Sequence, residues 1–204
     1  MKRFNSYIQE KLVLNSDTKL RKVTPVSKAE LKKIIDDKIQ ENPNSDTLVL
    51  NNVDVFNITN MNRLFRDYNH LKYIDISNWK VSQVTSMTFM FPSSLEKINL
   101  SKWDVENVKN MSSMFSGCKN LKNVDISDWD VKNLENCNEM FCDCLSLEEV
   151  DLSYWNPQKL RSCEDMFTNC KNLKNVGNIE NWKVGSHNNM FLKCINLKNK
   201  PSWY

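Results

Sequence analysis

Residues 121–146, LKNVDISDWDVKNLENCNEMFCDCLS, hold one complete copy of a unit that recurs along the chain. The unit reads L-x-x-I-D-I-S-x-W-x-V-x-x-V-x-N/S-M-x-x-M-F-x-x-C-x-x, with exchange among apolar residues, and then restarts at the next leucine. Tryptophans fall at Trp79, Trp103, Trp129, Trp155 and Trp182, in steps of 24, 26, 26 and 27. Phenylalanines fall at Phe65, Phe91, Phe115, Phe141, Phe167 and Phe191, in steps of 26, 24, 26, 26 and 24. Leucines follow at Leu71, Leu95, Leu121, Leu147, Leu173 and Leu197. A degenerate earlier copy begins at Leu48, with Val53 in the tryptophan position. Two independent markers in one register over most of a chain are the signature of stacked repeats, here about six of 24–27 residues.

Each part of the unit has a local physical reading. Ile74–Ile76, Ile98–Leu100, Val124–Ile126 and Val150–Leu152 alternate apolar, polar, apolar, which is a short strand with one face inward. Asn60, Ser86, Asn110, Asn136, Ser162 and Ser186 are good helix N-caps, since their side-chain oxygens accept from an orphan backbone N–H. Met111, Met114, Phe115 and Cys118 then lie at i, i+3, i+4 and i+7, the spacing of one face of a helix of about two turns. The expected fold class is therefore an α/β repeat solenoid: strand, turn, short helix and return in every copy. One copy cannot bury its own apolar face, whereas its neighbour can cover it. Parallel pairing at roughly 4.8 Å per copy gives a sheet on the order of 30 Å long. Each buried Trp, Phe, Met or Leu contributes about 1.5–3 kcal/mol of transfer free energy before entropy is charged.

The segment L-x-x-I-D-I-S-x-W resembles the leucine-rich-repeat frame L-x-x-L-x-L-x-x-N, with tryptophan where asparagine usually stands. Residues 103–118, WDVENVKNMSSMFSGC, resemble more specifically the repeat of the BspA-like leucine-rich-repeat proteins. That branch is common among mycoplasma surface lipoproteins and is also called the DUF285 repeat. The likeness runs from about Leu48 to Pro201. It implies a right-handed curved solenoid, a role in adhesion or partner binding, and no shared catalytic residues. The chain departs from the family in carrying no recognisable signal peptide or lipobox, so the expected location is the cytoplasm, with surface or virion association as the alternative. The opening FNSYIQEKLVLNSDTKL is similar to short N-terminal segments of small bacteriophage-encoded proteins, so the source reads as bacterial or bacteriophage.

Residues 1–46 do not fit the repeat. Ser27 with Glu30 forms a capping box that opens a helix over about 28–41. Leu31, Ile34, Ile35 and Ile39 line one side of it, and a stacked-repeat core needs such an end cover. That stripe is expected over the exposed edge near Leu48 and Leu50. The division is thus an N-terminal segment, 1–46, and a repeat region, 47–204. At the far end Lys198–Pro201 stands where a seventh strand would come, and Pro201 with its lysines discourages edge pairing.

Composition narrows the function. The 204 residues carry 28 Lys+Arg against 25 Asp+Glu, a net charge of +3. That bias is too weak to point to nucleic acid or an anionic membrane. No stretch approaches the roughly 20 apolar residues of a membrane span. The seven cysteines are odd in number, and in a reducing compartment disulfides are not expected. Cys118, Cys144, Cys170 and Cys194 form one column. Cys137 and Cys163 form another, in the slot that Met61, Met87 and Met111 fill elsewhere, so these slots are apolar. Their spacing lacks the C-x₂-C knuckle of a zinc site. Cys142 is off the pattern and is the thiol expected to be exposed. Only His70 and His187 could serve as histidine bases, in different copies, and no nucleophile–base–orienter set or phosphate loop can be drawn. No enzyme activity and no cofactor or metal are expected.

A binding role remains. The column Asp75, Asn99, Asp125, Asp151 sits mid-strand on the face turned from the core, where hydrogen bonds to Ser77, Ser101, Ser127 and Ser153 would ease the repulsion of stacked charges. Calcium is the alternative for that column, although the glycine-rich calcium nonapeptide is missing. The positions that vary most between copies flank the strand. The expected partner-binding set, on the concave strand face, is Lys72, Tyr73, Asp75, Lys97, Asn99, Lys122, Asp125, Glu149, Asp151 and Tyr154. Tyr73 and Tyr154 are the expected anchors, since tyrosine joins contact area to a polar tip. Mixed charge suits a protein surface better than a phosphate backbone. The expected function is a protein–protein interaction module with an unidentified protein partner. The alternative is a structural or adhesive surface or virion protein that binds a host protein or glycan.

Overall fold

The computed structural model describes residues 22–204. The phage-like opening segment and the first part of the N-terminal segment lie outside the described residues. Among those described, one α-helix, α1 (Lys28–Glu41), precedes three short parallel strands, β1 (Thr47–Val49), β2 (Tyr73–Asp75) and β3 (Lys97–Ile98), in the sheet order β1-β2-β3.

Helix α1 starts where its cap dictates. The Ser27 hydroxyl oxygen accepts from the Glu30 N–H at 3.2 Å, and the Glu30 carboxylate accepts from the Val26 N–H at 2.8 Å. The reciprocal bond thus falls one residue earlier than in the standard capping box. Leu31 and Ile35 are fully buried, in the same core as Leu48 and Leu50, while Ile34 and Ile39 pack at its margin. Polar contacts also tie the helix to the first copy, among them a 4.0 Å ion pair of Lys32 with Asp67. Lys28 Nζ donates to the Asn62 carbonyl, and the Tyr68 hydroxyl donates to Asp36 Oδ1.

The strand register pairs Leu48 with Ile74 and Val49 with Asp75, then Tyr73 with Lys97 and Ile74 with Ile98. Leu48 is therefore the counterpart of the strand residue Ile74 and not of Leu71, a shift of three from the alignment on leucines. Beyond β3 the strand side thins to single parallel bridges, Asn123 to Glu149 and Glu149 to Asn175. A second line of parallel bridges runs Asn60, Ser86, Asn110, Asn136, Ser162 and Ser186. Equivalent backbone in successive copies thus lies side by side along two separate lines.

The two-turn helices expected after those residues are not formed; the segments from Met61, Met87, Met111, Cys137, Cys163 and His187 are turns. The cause lies in where their N–H groups point. Met111, Ser113, Phe115 and Gly117 donate to the carbonyls of Asn136, Asn138, Met140 and Cys142 in the next copy, at 2.8–2.9 Å. Cys137, Glu139, Phe141 and Asp143 donate in the same way to Ser162, Glu164, Met166 and Thr168, at 2.8–3.1 Å. An α-helix would have consumed these donors internally. Instead Arg63, Phe89, Ser113, Glu139, Asp165 and Asn189, one per copy, take φ of 52–57°. Each left-handed residue costs about 1–2 kcal/mol, and the bonds to the following copy offset it. The presumed asparagine N-caps are accordingly turn formers: Asn60, Asn110 and Asn136 Oδ1 accept from the Asn62, Ser112 and Asn138 N–H groups at 2.9 Å, whereas the Ser86, Ser162 and Ser186 hydroxyls donate to Asn62, Asn138 and Glu164 of the preceding copy.

Side chains stack as the backbone does. The six phenylalanine rings lie 5.0–6.1 Å apart with interplanar angles of 1–18°. Trp103, Trp129, Trp155 and Trp182 follow at 6.1–6.5 Å. Each indole N–H has a fixed use. Trp103, Trp129 and Trp155 donate to the carbonyls of Ile76, Leu100 and Ile126, at 3.3, 3.2 and 2.9 Å. Those carbonyls close the preceding copy's strand and would otherwise hold only the turn bond from the backbone N–H of their own copy's tryptophan, Trp79, Trp103 and Trp129 in turn. The column thus joins burial of a large ring to satisfaction of a buried acceptor. The far end keeps the pattern: Trp203 Nε1 donates to the Ile179 carbonyl at 3.1 Å, and the Tyr204 ring stands edge-on to Phe191 at 5.1 Å.

Candidate binding surface

Hydrogen bonds organise the mid-strand column before any partner does. Ser77 and Ser101 donate their hydroxyls to Asp75 Oδ1 and Asn99 Oδ1 at 2.8 and 2.9 Å, and Ser127 donates to Asp125 at 3.1 Å. At Asp151 the serine contributes only its backbone N–H, at 2.9 Å, and the Ser153 hydroxyl oxygen accepts from the Asn178 N–H. Asp75 also accepts from Asn51 Nδ2 at 2.6 Å. With three donors, the two Ser77 groups and Asn51, and 9% exposure, Asp75 belongs to the structure's own network. Its counterparts open progressively: Asn99 is half-buried, and Asp125 and Asp151 are exposed.

The anchors divide in the same way. Tyr73 is 8% exposed and its hydroxyl donates to Glu96 Oε2 at 2.9 Å, so it is closed in by its own neighbours. Tyr154 is 76% exposed, and its hydroxyl makes no hydrogen bond among the described residues. Lys72 reaches the same Glu96 at 3.1 Å. Burial raises the affinity of Glu96 for its proton, but the bonds from Lys72 and Tyr73 outweigh it and hold the carboxyl below its ordinary value. Lys97 and Lys122 are exposed. Glu148 is taken by Lys174 at 2.7 Å, which leaves Glu149 as the acid beside Asp125 and Asp151. These three carboxylates, with Ser127, Ser153 and Gly177, border a shallow depression whose lining contains no lysine or arginine. The expected set thus separates into a bonded N-terminal half, Lys72, Tyr73 and Asp75, and an open C-terminal half around Asp125, Glu149, Asp151 and Tyr154. Gly177, which deepens that depression, carries no sequence signal of recognition, because a missing side chain leaves none.

The cysteine columns are structural. The thiols of Cys144, Cys170 and Cys194 donate to the carbonyls of Phe115, Phe141 and Phe167 at 3.1, 3.0 and 2.9 Å, and Cys118 donates to Pro92 at 3.3 Å. Burial pushes Cys118 up to about 12. None of the seven cysteines is in a disulfide. Cys142, expected to be the exposed thiol, is half-buried, and burial followed by the charges of Asp143, Glu139 and Asp165 pushes it up to about 11. A thiol with that value holds on the order of a hundredfold less thiolate near neutral pH than an ordinary cysteine. Native protein titrated with an aromatic disulfide reagent at pH 7.5 is therefore expected to show no fast-reacting thiol. One that reacts at the rate of free cysteine would contradict this. Among the described residues no group of three or more His, Cys, Asp or Glu side chains could hold a metal ion. No described helix is long and apolar enough to cross a membrane.

One family model, described as a mycoplasma protein of unknown function, DUF285, matches residues 31–99 and 93–203. No curated protein and no solved structure matches.

Proposed function

Because the chain belongs to the DUF285 family over residues 31–203, whose function is unknown, we propose that it is a non-enzymatic binding module. Its repeats wind as a right-handed leucine-rich-repeat-like solenoid, and it holds a protein partner on the strand face. The observation that carries this reading is the contrast along one column. Asp75 is enclosed by its own neighbours, whereas Asp125, Glu149 and Asp151 line an open depression that holds no basic residue, and Tyr154, which follows the lining residue Ser153 in the chain, is exposed. A solenoid offers such an extended surface without disturbing its core. Three carboxylates and a large exposed aromatic suit a partner that presents lysine or arginine next to an apolar side chain.

Affinity capture from the producing cell, followed by measured binding of the partner recovered, tests the reading. Tyr154→Ala is expected to weaken binding about tenfold or more, while Tyr73→Phe changes it little. Unchanged binding by Tyr154→Ala together with Asp151→Asn would remove the strand face from consideration. The adhesive alternative is favoured if the protein is recovered only with purified particles or envelopes.

A further inference from the structure

The turn segments form a donor row that passes from copy to copy, and in the sixth copy most of that row meets no acceptor among the described residues. In each of the third, fourth and fifth copies, four N–H groups donate to carbonyls of the copy that follows. In the sixth copy the equivalent donors are His187, Asn189, Phe191 and Lys193. Phe191 has a long 3.4 Å bond to the Tyr204 hydroxyl, and the other three have no acceptor among the described residues. Asn189 and Lys193 keep the left-handed φ of their counterparts, 57° and 61°, so their N–H groups still point along the stack. The same copy exposes Leu192 and Ile195, at 44% and 77%. At the other end α1 lies across the first copy, with Lys28 on the Asn62 carbonyl. The two ends are thus unlike: α1 lies across one, whereas at the other the Trp203 and Tyr204 rings stand 5.2 and 6.1 Å from the His187 ring and leave Asn189 and Lys193 open beside exposed aliphatic side chains.

We infer that this end face takes an extended peptide segment of a partner protein, laid parallel to His187–Lys193 so that its carbonyls accept the open N–H row. This is strand-type addition, in which main-chain bonds supply affinity and side-chain contacts supply choice. A second copy does not fit, because this face against itself opposes donors to donors and the opposite end carries α1. Lys193 stands in the row and Lys200 reaches the Tyr204 ring beside Phe191, its Nζ 5.0 Å from the ring centroid, and both are exposed, so the segment is acidic and carries an aliphatic or aromatic residue against Leu192 and Ile195. Tyr204 partly covers the row and competes for the Phe191 N–H.

The probe is a synthetic peptide with the sequence of residues 162–170, carrying Cys163→Ser and Cys170→Ser. Inside the protein that segment accepts the equivalent row from Cys137 to Asp143, and it carries two acids. Amide hydrogen exchange of the whole chain is followed with and without millimolar peptide. The inference expects rapid exchange at His187, Asn189 and Lys193 in the free protein and slowing of about tenfold with peptide. It further expects weaker binding in the Leu192→Glu plus Ile195→Glu variant, severalfold tighter binding in Tyr204→Phe, and no change in Tyr154→Ala. It is overturned if those three amides are already protected without peptide, if exchange there is unaltered by it, or if a scrambled peptide of equal composition protects them as well. Because Tyr154→Ala reads the strand face alone, failure of one surface does not count against the other.

Discussion

Phe141→Ala is expected to lower the unfolding free energy by about 3–5 kcal/mol, the range for losing a fully buried aromatic ring. Phe141 lies in the middle of the stack, 5.2 Å from the Phe115 ring and 5.3 Å from the Phe167 ring. Truncation removes both stacking contacts and leaves a void on each side. The void cannot close by backbone movement. The Phe141 N–H is bonded to the Met166 carbonyl at 2.8 Å, and the Phe115 N–H to the Met140 carbonyl at 2.9 Å, so the coil is pinned from both neighbours. The end of the stack supplies the control. Phe191 has one phenylalanine neighbour at 5.6 Å and the Tyr204 edge on its other side. Phe191→Ala is therefore expected to cost less, about 2–3 kcal/mol, since the terminal copy can relax. Urea denaturation of both variants by tryptophan fluorescence and circular dichroism compares them. Equal losses at the two positions would mean that the interior stack is no more constrained than its end.

Gly177→Ala is expected to destabilise by about 2–4 kcal/mol, against about 1 kcal/mol for Gly117→Ala. Both glycines have left-handed backbone, φ 77° and 79°, so the conformational penalty is shared. Their surroundings differ. A Cβ at Gly117 would meet Ser93 Cβ at 3.9 Å, an ordinary contact. At Gly177 it would fall on Asp151 Oδ1 and Ser153 Oγ and come within 2.9 Å of the Ser153 backbone nitrogen. The side-chain oxygens could turn away, but the Ser153 nitrogen belongs to main chain that is held by the bond from the Leu152 N–H to the Val176 carbonyl at 3.0 Å. Gly177 stands where the earlier copies hold Asp75, Asn99, Asp125 and Asp151, and here the copy has one residue more between Val176 and Trp182 than between Val150 and Trp155. A left-handed residue takes up the extra length and restores Ile179 to the core. Thermal melts of the two variants on the same day separate the contributions. A Gly177→Ala loss no larger than that of Gly117→Ala would show that the backbone around Ser153 yields.

The columns were legible because their signal is repetition. Tryptophan, phenylalanine and cysteine recur at fixed intervals, and side chains that recur together are stacked in the structure at Phe65 to Phe191 and at Trp103 to Trp182. Helix α1 was legible for a local reason, a Ser27 cap followed by Leu31 and Ile35 one turn apart. The short helices were misread because i, i+3, i+4, i+7 spacing records only which residues face inward. A coil of tight turns with a left-handed residue in each copy presents Met111, Met114, Phe115 and Cys118 to the interior as well as a helix does. The Tyr73 and Tyr154 pair looked equivalent for a similar reason, since nothing near either residue marks its burial.

What the sequence determined by itself is membership of the interior: apolar burial depends on which side chains recur in register, and that is written in the chain's order. The tertiary structure alone decided where the backbone donors go and which surface residues stay open, because both depend on groups about 24–26 residues away. An N–H at Phe141 bonds to Met166 rather than within its own turn, and Tyr73 closes under Glu96 while Tyr154 stands clear. Those choices follow from contact between successive copies, which no segment read alone contains.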